Sequence, residues 1–178
     1  MLKYSIPNQA KITHHSNENI QFEAISCQPG VTDDGVLISP ETIKASSRWM
    51  LGRPVVLGQV GSPAGASNAV GQVDSVEVQD GGGLKVAGTL WSQKLSRQQL
   101  QGLEKAGRPL KAQAGFFLMA MPEEGTWEGK SYKERARELQ FDHLSLVLPE
   151  LKGHSAASRE EELMELERSW EARLGRKC

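Results

Sequence analysis

The sequence predicts a mainly β (α+β) protein whose strands close into a barrel, with short accessory helices and an amphipathic C-terminal helix. Three observations predict it. Apolar residues recur at every second position in several short runs, the period of half-buried strands. These runs are separated by turns rich in Gly and Asp, such as Thr32-Asp33-Asp34-Gly35 and Asp80-Gly81-Gly82-Gly83. Only two short helices are interposed before residue 150, and many short strands with long turns suit a closed or nearly closed barrel.

Residues 1–19 are polar and rich in Asn, His and Lys, and they read as a flexible lead-in. Residues 20–150 carry the globular pattern, and residues 151–178 read as a separate helical tail. Ile20, Phe22 and Ala24 alternate with Gln21 and Glu23 as a strand. Ser39-Pro40-Glu41 offers an N-cap followed by Pro at the first helical position, and predicts a helix through about Met50. Gly52-Arg53-Pro54 stops it, and Val55-Val56-Leu57 follows as a short buried strand. The small residues from Gly61 to Asn68 form a loop before a strand over Val70–Val78. Leu84, Val86, Gly88 and Leu90 alternate on the returning strand. Ser96 caps a short helix on which Leu100 and Leu103 share a face. Leu110–Met121 is a strand with Ala112, Ala114 and Phe116 on one side. The acidic stretch from Pro122 through Glu128 reads as a solvated hairpin or an exposed binding loop, and Leu139–Leu148 as the last strand.

The tail opens on Ser158-Arg159-Glu160-Glu161, a capping box. Leu163, Leu166, Trp170 and Leu174 then form one apolar stripe on a charged helix, a pattern suited to packing on the barrel or docking on a partner. Trp49, Trp91, Trp127 and Trp170 read as core or anchor aromatics.

Charge narrows the function. The formal net charge is −1 with 21 Lys and Arg among 178 residues. These are scattered, so the chain lacks the basic footprint of a nucleic-acid binder. No run approaches the roughly 18 apolar residues of a membrane span, and no apolar segment of a signal peptide follows the first residues. Cys27 and Cys178 give neither a disulfide framework nor metal-ligand spacing, so no metal and no cofactor is expected.

Four segments then occur in a fixed order. They are Gly30-Val31-Thr32-Asp33-Asp34-Gly35 leading into Ile38-Ser39-Pro40-Glu41; Gly52 to Gly58; Val70-Gly71-Gln72-Val73; and Phe141-Asp142-His143-Leu144-Ser145-Leu146-Val147-Leu148-Pro149. Between the last two lie the Gly81–Gly88 hairpin and Ala114-Gly115-Phe116. Over residues 20–157 this order resembles the tailed-phage prohead (capsid maturation) protease family, whose barrel is related to the herpesvirus assemblin-type serine proteases. The resemblance implies a histidine base, a serine nucleophile and a third His or acidic residue, in that order. It places the base at Gln59, the nucleophile at Gln113 and the third member at His143. Only His143 matches. A glutamine amide neither shuttles a proton nor attacks a carbonyl.

Other residues offer little chemistry. His14 and His15 fall in the polar lead-in, and His154 lies beyond the last strand. Ser145 follows His143 by two residues and points to the same side of the strand, which reads as a packed serine. Ser67 sits in a flexible loop, and Cys27 reads as a small buried hydrophobe. Asp142 and His143 are strand neighbours, whose side chains are expected to point apart.

The resemblance therefore implies a phage or prophage particle assembly protein on a degenerate protease fold, with an active prohead serine protease as the alternative. Its implied partners are capsid, scaffold or other particle proteins, in a homo-oligomer or bound to the particle, with no nucleic acid and no membrane. The implied location is the host cytoplasm, or the virion or procapsid.

Overall fold

The computed structural model describes residues 8–16, 18–58, 68–105 and 110–148. Its strands are β1 (Asn8–His15), β2 (Asn19–Cys27), β3 (Gly30–Val31), β4 (Val36–Ile38), β5 (Pro54–Leu57), β6 (Gly71–Val78), β7 (Leu84–Trp91), β8 (Leu110–Trp127) and β9 (Lys130–Val147). Helix α1 (Pro40–Ser46) lies between β4 and β5, and α2 (Arg97–Lys105) between β7 and β8.

Seven strands close a ring in the order β9-β5-β6-β7-β2-β1-β8, with β8 pairing back to β9. The β3–β4 pair is added to the side of β9. Strands β4 and β5 run parallel to β9, and the other pairings are antiparallel. The core is filled by the alternating residues of the ring: Ile20, Phe22 and Ala24 from β2, Leu84, Val86 and Leu90 from β7, Val55 from β5, and Leu144 and Leu146 from β9. Each large side chain so buried contributes on the order of 1.5–3 kcal/mol.

Residues 8–15, expected in a flexible lead-in, form a strand of the ring. Ala10 is buried and Ile12 half-buried between exposed neighbours. That alternation is too short and too polar to stand out in the sequence, and β1 is held by pairing to β2 and β8. The acidic stretch 122–128 lies in a hairpin, as expected, but the paired strands run further into it than the sequence suggests. Strand β8 continues through it to Trp127 and returns as β9 from Lys130. The turn between them uses Glu128 at φ 45° and Gly129 at φ 81°. Positive φ at both central residues of a two-residue turn matches the twist of the flanking strands.

The helix starts match expectation. Ser39 caps α1 by accepting from the Thr42 N–H at 3.3 Å. Before α2, the Ser96 hydroxyl accepts from the Gln99 N–H and the Gln99 side chain accepts from the Ser96 N–H, at 3.1 and 2.8 Å.

Helix α1 completes the outer edge of β9. Along that edge β4 pairs at Glu134–Arg135 and β5 at Leu144–Leu146. In the gap, Thr42 donates its hydroxyl to the Ala136 carbonyl at 2.8 Å, and the Leu139 N–H donates to the Ser46 hydroxyl at 2.9 Å. Thr42 and Ser46 are one helical turn apart, so one face of α1 satisfies backbone that no strand reaches. The expected tail helix from Ser158, with Leu163, Leu166, Trp170 and Leu174, lies outside the described residues.

Candidate functional site

The site is built where β8 and β9 cross the barrel wall. Gln113 is opposite Ser145 and Gly115 is opposite His143, but the next rung joins Phe116 to Phe141. Asp142 is therefore an extra residue on β9, a β-bulge. On one side of it Phe141 turns into the core and packs edge-on against Phe116, with ring centroids 5.9 Å apart at 78°. On the other side Leu144 and Leu146 fill the core, so His143 and Ser145 face away from it.

The bulge overturns the expectation for Asp142 and His143. Their side chains converge, with Asp142 Oδ2 2.7 Å from His143 Nδ1. A regular pleat would separate them, but the extra residue turns the strand locally and aims both the same way. A phase slip in the sequence carried this signal. The apolar positions run Leu139, Phe141 and then Leu144, Leu146, Leu148, breaking step by one residue at the bulge.

His143 is 2% exposed and its ring lies flat on the Gly115 backbone. A Cβ built on Gly115 would meet all three of the ring's Cε1, Nδ1 and Nε2 atoms, the two nitrogens at 2.6 and 2.8 Å. Any side chain at residue 115 would thus take the place of the imidazole. This is the physical reason for a glycine before Phe116.

Gln113 lies two residues before Gly115 on β8, so it shares the face with His143 and Ser145. It is half-buried, and Ser145 is buried. Strand β5 enters the same wall, with Leu57 beside Leu146 and the Gly58 N–H donating to the Leu146 carbonyl at 2.9 Å. Gln59, which follows, lies outside the described residues, as do Ser67 and His154. His14 and His15 are exposed on β1 rather than in a lead-in.

Chemically this is an imidazole oriented by a carboxylate. A carboxylate against Nδ1 fixes the imidazole's orientation and takes up the Nδ1 proton in a hydrogen bond, which directs the lone pair of a neutral ring to Nε2. On the facing strand, the position opposite Ser145 is Gln113, whose side chain is an amide.

Other candidates are inert. Cys27 is fully buried, and burial pushes its thiol up to about 12, so it stays protonated and non-nucleophilic. Arg135 reaches Glu123 at 3.3 Å and Glu41 at 3.6 Å, and Tyr132 donates to Glu123 at 3.2 Å. These groups are partly or fully exposed and tie the β8–β9 hairpin to the start of α1. No group of three metal-ligating side chains occurs among the described residues. Of the tryptophans, Trp49 is exposed under the Arg48 guanidinium, and Trp91 is half-buried near the Lys94 ammonium. Trp127 is half-buried in the hairpin, so none of these three is a core residue.

The sequence matches no known family and no curated protein. Among solved structures the chain is similar to the bacteriophage T4 capsid assembly protease gp21. The likeness has 11% identity and a TM-score of 0.49, and covers 82% of this chain and 92% of that one.

Proposed function

We propose that the chain is an assembly protein of a phage or prophage particle, built on a prohead-protease-type barrel and without peptidase activity. The observation that carries this reading is the amide of Gln113 on the face that holds His143. Motif order assigns Gln113 to the nucleophile and Gln59 to the base, and neither side chain can perform that step. What remains is an oriented imidazole with no facing hydroxyl on β8. A barrel of this kind acts through its surfaces, and its partners are capsid, scaffold or other particle proteins, met in the host cytoplasm or the procapsid. The apolar stripe of Leu163, Leu166, Trp170 and Leu174 is the sequence's own candidate for such a surface.

One observation favours the second reading, an active serine protease. Asp142 and His143 form a real couple, and Ser145 shares their face. Residues two apart on one strand stand roughly 6.6 Å apart with parallel side chains, which is poor geometry for proton transfer from Ser145 to His143.

A serine-reactive fluorophosphonate separates the two. The purified chain is expected to remain unlabelled and to leave its own length unchanged on incubation. Labelling that disappears in Ser145→Ala or Ser67→Ala would establish the active reading instead.

A further inference from the structure

Helix α1 turns Thr42, Ile43 and Ser46 inward, all buried, and Met50 follows them into the core from a 3₁₀ turn over Ser47–Met50. The other face holds Lys44 and Arg48, with Ala45 and Trp49 beside them, at spacings of four that keep each pair on one side. All four are exposed. Trp49 and Leu51, 40% and 54% exposed, flank the buried Met50. Single exposed apolar residues are ordinary, whereas a Trp and a Leu held out together point to a contact.

Backbone geometry holds both side chains out. The Arg53 N–H donates to the Met50 carbonyl at 3.2 Å, with Leu51 at φ −62° and ψ 132° and Gly52 at φ 74°. This is a type II turn with glycine where φ is positive and Leu51 at its outer corner. Pro is common at that corner, and nothing in the turn requires an aliphatic side chain. The turn is pinned to β6. There the Gly52 N–H donates to the Val73 carbonyl and the Val73 N–H to the Arg53 carbonyl, both at 2.9 Å. The Arg53 Nε–H donates to the Trp49 carbonyl at 2.8 Å, and the Arg48 guanidinium lies 4.8 Å from the centre of the Trp49 ring. Two arginines are thus gathered at Trp49.

The charge here runs against that of the chain. Residues 42–58 hold Lys44, Arg48 and Arg53 and no Asp or Glu, whereas the whole chain carries a net −1. Among the described residues none of these three cations forms an ion pair. The carboxylates on either side are engaged elsewhere. Glu41 meets Arg135, and Asp74, next to Val73 on β6, accepts from Thr89 and Gln72 at 2.6 and 2.9 Å.

We propose that this face of α1 and the turn after it bind a peptide segment of another protein, one that sets acidic side chains beside apolar ones. Trp and Arg are the residues that most often carry binding energy at interfaces. Here both are already held in place, which lowers the ordering cost of binding. The cations select an acidic partner over a basic one, and Trp49 and Leu51 select apolar neighbours for its carboxylates. Lys44, Arg48 and Arg53 are too few to follow a phosphate backbone, so the face suits a peptide and not a nucleic acid. The inference does not depend on whether the chain cuts peptides. Helix α1 lines the edge of β9 away from β8 and Gln113.

The test is selection from a random peptide display library on the purified full chain, followed by anisotropy titration of the enriched peptides. These are expected to carry Asp or Glu next to Leu, Phe or Trp. Each should bind Arg48→Glu and Trp49→Ala at least about ten-fold more weakly than the native chain, and should weaken as salt rises. A melting curve shows whether each variant is folded. If Trp49→Ala does not fold, Leu51→Ser at the exposed turn corner carries the apolar arm of the test, with a loss of about five-fold or more. Enrichment of basic or uncharged peptides, of peptides indifferent to these substitutions, or of none would overturn the proposal. Binding to phosphatidylglycerol vesicles or to polyuridylate that is lost in Arg48→Glu, with no peptide enriched, would overturn it in favour of a membrane or a nucleic acid. Self-association abolished by Trp49→Ala would overturn it in favour of a second copy of the chain.

Discussion

The imidazole of His143 and the missing side chain of Gly115 are one feature. The ring occupies the space where a residue-115 Cβ would be, and Asp142 holds its Nδ1 at 2.7 Å. Gly115→Ala must therefore move the ring, and overpacking of this kind costs typically 1–3 kcal/mol, about the same here. The displaced ring also loses its carboxylate. We expect a lowered denaturation midpoint together with a changed Nδ1 shift in a nitrogen NMR spectrum of His143. In a His143→Ala background the same Gly115→Ala change should cost less than about 0.5 kcal/mol, because the clash has gone. An undiminished cost would mean that Gly115 is needed for its backbone and not for the histidine. Asp142 itself was hidden in the sequence, because strand alternation separates neighbours and only the phase slip between Phe141 and Leu144 marks the bulge.

At the scale of elements, α1 acts as a substitute strand. Its Thr42 and Ser46 hydroxyls meet the Ala136 carbonyl and the Leu139 N–H, both in the interval between the β4 and β5 pairings of β9. Removing either hydroxyl leaves a buried backbone group without that partner. Thr42→Val and Ser46→Ala are each expected to cost about 1–3 kcal/mol, read as a shifted urea midpoint at unchanged slope. Ser47→Ala is the control. Its hydroxyl donates to Lys44 on the exposed side of the same helix, and its loss should stay within about 0.5 kcal/mol. Similar costs for all three would deny α1 this role. The start of α1 was legible because Ser39-Pro40-Glu41 states its capping chemistry locally, and the β2 and β7 strands were legible from clean alternation. The length of the hairpin arm was not. Pro122, Glu123, Glu124 and Gly125 are poor strand formers, and β8 persists through them because β9 pairs on the far side of a register shift between Pro122 and Gly125. Such tertiary support leaves no local trace. Within the site, the face shared by Gln113, His143 and Ser145 follows from spacing and strand pairing, whereas Gln59 lies outside the described residues.

The whole molecule depends on where the ring closes. Strand β1 joins β2 to β8, and Ala10 is registered on both sides, with Ala24 on β2 and Leu110 on β8. Ala10 is 1% exposed, and its two partners are 3% and 1% exposed, so the seam is dry and tightly filled. Its partner Leu110 is a hundred residues away in the chain, which makes closure a long-range event. A charge placed here has no counter-ion in the seam and disrupts two pairings at once. Ala10→Glu is thus expected to cost more than about 3 kcal/mol, comparable to half the stability of a domain of this size. The native chain should melt in one cooperative transition, and the variant should lose it while keeping β-rich far-ultraviolet dichroism from the β5–β6–β7–β2 part of the ring. Gln9→Glu, one residue away and exposed, should melt within a few degrees of the native chain. If Ala10→Glu melted with equal cooperativity and only a few degrees lower, β1 would be an accessory strand, and the barrel would hold together through its β8–β9 and β2–β7 ladders alone.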